Sequence, residues 1–70
     1  MIKNAKVGDK FWIQDNGSNI QCTVSAIEQK WRIPIHRATD ENGEDHGWYF
    51  GPLCETEEEF TNMWLNFSER

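Results

Sequence analysis

A chain of 70 residues forms one domain at most, and its 37% hydrophobic and 13% aromatic content, with four Trp, excludes a disordered polymer. No run of about 18 apolar residues exists to span a membrane. The opening MIKNAKVGDK has no apolar stretch of the secretory kind, so a soluble, cytoplasmic protein is expected. The net charge of −5 weighs against a basic nucleic-acid footprint.

In chain order, Val7-Gly8-Asp9 reads as a turn into a first strand, Lys10-Phe11-Trp12-Ile13-Gln14. Alternation there sends Phe11 and Ile13 to the core and Lys10, Trp12 and Gln14 away from it. Asp15-Asn16-Gly17-Ser18-Asn19 supplies the Asn and Gly that a tight hairpin loop requires at positive φ. The next strand alternates Ile20, Cys22, Val24 and Ala26 inward with Gln21, Thr23 and Ser25 outward. Ala26-Ile27 breaks that period and predicts a bulge or a strand end. A third strand through Lys30–Ala38 places Trp31, Ile33 and Ile35 inward and Arg32, Pro34 and His36 outward, and Pro34 favours a sheet edge or a bulge. Asn42-Gly43 is a hairpin signal. The chain then returns as Gly47-Trp48-Tyr49-Phe50, with Trp48 and Phe50 inward and Tyr49 outward. Finally, Thr56 and Glu59 form a capping box, and Phe60, Met63, Trp64 and Phe67 make one apolar helical stripe.

These elements predict a single α+β domain over residues 1–70, β-rich from about 7 to 53 and helical from about 56 to 67. Its expected architecture is a small antiparallel sheet of three to five strands with one C-terminal amphipathic helix packed on it. On strand spacing alone, roughly residues 7–53 resemble an SH3-like, partly closed barrel of the kind found in Tudor and KOW modules.

Chemistry has little to stand on. Asp40, Asn42 and Glu44 alternate as calcium ligands do, but the sixth and twelfth loop positions hold Asp45 and Gly51 instead of Gly and Glu. Cys22, His36, His46 and Cys54 are singletons without a chelating pair, so no zinc site is expected. His36 reads as a surface histidine, His46 as a polar turn residue, and the two cysteines as buried thiols. Neither a phosphate-cradling glycine loop nor a nucleophile–base pair is evident. The expectation is a protein without catalytic activity, cofactor or metal.

Charge distribution points to binding instead. Lys3, Lys6, Lys10, Lys30, Arg32 and Arg37 outnumber Asp9, Asp15 and Glu28 in residues 1–39, whereas residues 40–59 hold eight carboxylates and no base. The first reading is therefore a small protein-binding domain, an antagonist or accessory factor of the kind that phages and mobile elements carry. It would dock Asp40, Glu41, Glu44, Asp45, Glu57 and Glu58 on a basic protein surface, with Trp12 and Tyr49 as exposed anchors. The two acidic groups would form one ridge. The second reading is a single-stranded nucleic-acid module that uses Lys10, Lys30, Arg32 and His36 beside those aromatics. A homodimer anchored by Trp12 is a third.

Overall fold

A computed structural model of the protein describes the backbone of residues 1–68 and the side chains of residues 1–63. The strands are β1 (Lys10–Asp15), β2 (Ser18–Lys30), β3 (Ile33–Asp40) and β4 (Asp45–Phe50), followed by helix α1 (Glu57–Ser68). The sheet is an antiparallel meander in the order β1-β2-β3-β4. This is the expected α+β architecture, but the barrel does not close: β1 and β4 form no ladder with each other. The sheet curls strongly instead. The rings of Phe11 on β1 and Tyr49 on β4 meet edge to face at 6.1 Å across the concave side. A backbone bond from Trp12 N–H to the Cys54 carbonyl ties the segment after β4 to the free edge of β1.

The turns follow their residues. Asn16 and Gly17 adopt φ of 51° and 80° and close the first hairpin between Asp15 and Ser18. In the third hairpin Gly43 adopts φ 82°, and Asp40 takes the amide of Gly43 on its carbonyl. The second hairpin is unexpected. Trp31 and Arg32, predicted to lie inside a strand, adopt φ of 57° and 66° and form a two-residue loop between Lys30 and Ile33.

That loop reverses the face of every residue after it, because side chains alternate with period two. Pro34, His36, Ala38 and Asp40 face the concave side, where Ile27 lies opposite His36 and Val24 opposite Ala38. His36 is thus buried, at 4% exposure, and the expectation of a surface histidine is corrected. Ile33 and Ile35 face outward; Ile35 is nevertheless buried beside its neighbours Glu28 and Phe50. The predicted irregularity near Ala26 is a bulge, with Ser25 as the extra residue between the Val24 and Ala26 pairings. It turns Ala26 outward and Ile27 inward. Pro34 does not mark an edge strand, since β3 is central; it sits beyond Phe50, where β4 ends opposite Ile35.

A second bulge near Gly47 (φ 89°) sets three steps on β4 against two on β3. It places Tyr49 on the concave side and Trp48 and Phe50 on the convex side, the reverse of the expected parity. The core comprises Phe11, Ile13, Cys22, Val24, Ala38 and Leu53, with Phe60 of α1 also buried. The capping box forms in part: the Glu59 amide donates to Thr56 Oγ1 at 3.1 Å, but the Glu59 carboxylate reaches back to the Glu55 amide and takes the Met1 ammonium. Trp64 and Phe67, the rest of the predicted stripe, lie outside the described side chains.

Candidate functional site

One end of the sheet gathers the hairpin acids. The Asp40 Oδ1 accepts the amides of Asn42 and Glu44, each at 2.9 Å, which leaves Oδ2 for His46 Nε2 at 2.8 Å. The other ring nitrogen of His46 lies 3.9 Å from the Asp15 carboxylate of the first hairpin. That separation is too long for a hydrogen bond, but both acids attract a charged ring. The Asp40 bond accordingly raises the His46 pKa above its ordinary 6.5, and the bond from His46 holds that of Asp40 below 3.8. Asp40, Glu44 and His46 form the one group among the described residues whose ligand atoms all lie within 4.8 Å. Their geometry holds a proton as it stands, and a cation there would have to displace the His46–Asp40 bond.

Of the four turn carboxylates expected to meet a partner, two are engaged within the chain. Asp40 belongs to the turn and to His46. Asp45 accepts Arg37 Nη2 at 2.8 Å and the Gly47 amide at 3.0 Å, and the Arg37 bond is the main cause that lowers its pKa to about 2. Glu41 and Glu44 remain exposed to solvent. The helix acids Glu57 and Glu58 are exposed too, but they do not extend this cluster. Their helix begins where Glu59 holds Met1, and Glu55 shares a hollow with Met1, Asp9 and Lys10. The segment that leads into the helix thus meets β1 at its Lys10 end, whereas the hairpin acids gather at its Asp15 end.

The aromatic anchors also differ from expectation. Tyr49 packs against the core, and Trp12 is half-buried. The convex face instead exposes Trp48 at 41%, Phe50 at 60% and Ile33 at 48%, with Trp31 at 84% on the adjoining hairpin tip. Alternation along strands read as unbroken placed Trp31, Trp48 and Phe50 in the core. The signal that finds them is register: the Trp31-Arg32 loop and the Gly47 bulge decide the faces. Among the expected nucleic-acid contacts, Lys10, Lys30 and Arg32 are exposed, whereas His36 is removed by burial. Cys22 and Cys54 are buried free thiols, and desolvation raises the Cys22 pKa to about 11. No helix among the described residues is long and apolar enough to cross a membrane.

Comparison with known proteins returns no match, whether by family model, by curated sequence or by solved structure.

Proposed function

We propose that this chain is a non-catalytic protein-binding domain, acting as an accessory factor or antagonist, that docks β4 and its acidic turn on a partner with a basic rim. The observation that carries the reading is the exposure of Trp48 and Phe50, 41% and 60%, on an edge strand that starts directly after Glu41 and Glu44. Leaving two large rings in water forgoes burial that a small core needs. Aromatic anchors beside charges that steer association are the usual composition of a binding surface. Glu41 and Glu44 are the steering groups, because neutralising them leaves the turn bonds of Asp40 and Asp45 in place.

The test is capture from the native cell followed by association kinetics. Trp48→Ala should lose the partner through faster dissociation while the fold is retained. Glu41→Gln with Glu44→Gln should slow association and flatten its salt dependence. Unchanged kinetics in both variants would remove this surface from the reading.

A second reading, single-stranded nucleic-acid binding, rests on Trp31, 84% exposed between Lys30 and Arg32 at the hairpin tip. Each base stacked on such a ring contributes about 1–3 kcal/mol. Fluorescence quenching by oligonucleotide that Trp31→Ala abolishes would favour it over the first.

A further inference from the structure

The concave face carries a second feature that the binding surface does not use. Past the core, toward the Trp31 hairpin, lies a groove of about 800 Å³ between residues 1–5 and the segment after β4. That size falls within the range of about 300–1,000 Å³ typical of small-molecule sites. Ile27, Pro34 and Pro52 give it apolar walls, and Ile33, which faces the convex side, borders it at the hairpin end. His36 lines it while being only 4% exposed.

The imidazole is held so that one nitrogen is left over. Nδ1 lies 3.1 Å from the Tyr49 carbonyl oxygen, and since a carbonyl only accepts, Nδ1 carries the proton. Among the described residues, Nε2 has no hydrogen-bond partner. It is not sealed away either, for no described side-chain nitrogen or oxygen closed off from solvent lacks a partner. The open nitrogen therefore faces the groove as an acceptor in the neutral ring. The charge of the walls is equally selective. Eleven of the chain's twelve carboxylates have described side chains, and none of them lines the groove; Lys3 is the one charged side chain among the described residues that does, beside the Met1 ammonium already paired with Glu59.

We propose that this groove binds a small apolar acid that donates one hydrogen bond. The donor meets His36 Nε2, the carboxylate lies by Lys3, and the apolar body covers Ile27, Pro34 and Pro52. Each feature of the ligand answers one feature of the groove. A cationic ligand finds no counter-charge in it, and a ligand without a donor leaves a buried acceptor unpaired. The site lies on the face opposite Trp48 and Phe50, so it stands or falls apart from the protein-binding reading.

Indole-3-acetate is a suitable probe because it combines a ring N–H, an apolar body and a carboxylate. Added to ¹⁵N-labelled protein, it should give saturable amide shifts confined to residues 2–5, 27–36 and 51–53. Naphthalene-1-acetate, which lacks the donor, should bind about tenfold more weakly. Tryptamine, which exchanges the carboxylate for a cation, should also bind more weakly. His36→Leu should abolish the preference for indole-3-acetate over naphthalene-1-acetate. Should that variant fail to fold, Lys3→Ala alters only an exposed side chain and should weaken both acids without weakening tryptamine. The proposal is overturned if no saturable shift occurs at millimolar probe, if the three probes bind equally, or if the shifts centre on Trp48 and Phe50.

Discussion

At the scale of single residues, the hairpin end behaves as a proton-dependent clasp. His46 is faced by Asp40, Asp15 and Glu44, and all three favour its charged form. A histidine whose folded pKa is raised adds stability that is complete below its unfolded value and is lost as pH rises through the folded one. Asp40 is shifted the other way, so its contribution is present above its ordinary 3.8 and is lost as pH falls through its lowered folded value. Both contributions are complete between 3.8 and 6.5, so the stability that this pair adds should be greatest at mildly acidic pH and should begin to fall towards neutral pH. An NMR titration should give His46 a midpoint above 6.5, and Asp40→Asn should move it down. A midpoint indifferent to that substitution would mean that the bond does not hold in solution. The turn role of Asp40 was legible, because Asp-Glu-Asn-Gly spells a hairpin and Asp bonds its own following amides. The role of His46 was not, since the Gly47 bulge that aims it leaves no pattern in a single sequence.

At the scale of elements, the legible pieces are those with local chemistry. Asn16-Gly17, Asn42-Gly43 and Thr56 announce two turns and a helix start through their own side chains and backbone freedom. The Trp31-Arg32 turn has no such announcement. Trp is a strand former by propensity, and its neighbours Lys30, Ile33 and Ile35 sustain an unbroken strand pattern. That one hidden loop decides the faces of His36, Ile33 and Ile35, while the Gly47 bulge decides those of Trp48, Tyr49 and Phe50. Left-handed backbone is disfavoured for residues with a Cβ by roughly 1–2 kcal/mol each. Replacing the pair by Asn-Gly should therefore stabilise the domain by about 1 kcal/mol, which corresponds to roughly 4–8 °C in Tm at this size. A lower Tm by differential scanning calorimetry would show that Trp31 is held there by packing, not in spite of strain.

At the scale of the molecule, a curled open sheet buries its core on one side only. Phe11 and Val24 sit at its centre, at 1% and 0% exposure, and Phe11 also carries the ring contact that holds β1 near β4. Truncating a buried Phe costs about 3–5 kcal/mol, as much as the roughly 3–5 kcal/mol that a core of this size supplies. Phe11→Ala should therefore be largely unfolded by circular dichroism, whereas Trp48→Ala should keep its cooperative melt. Which strands exist, and that Phe11, Ile13, Cys22 and Val24 face inward, could be read from period-two alternation. Openness could not, because closure depends on whether distant edges pair, and that is written in no local stretch.

The unequal turns also order events in time. Asn16-Gly17 and Asn42-Gly43 lie at the same end of the sheet, where His46 links Asp40 to the first hairpin. Chain reversal there is nearly free of strain, while the opposite end must close on Trp31 and Arg32. Strand pairing should thus begin at the acidic end and zip toward the aromatic tip, and native-state openings should run in reverse. Hydrogen exchange should find the inter-strand amides of residues 29–33 less protected than those of 13–20 and 39–40. The tip that displays Trp31 would then be the part of the molecule that comes apart first and most often.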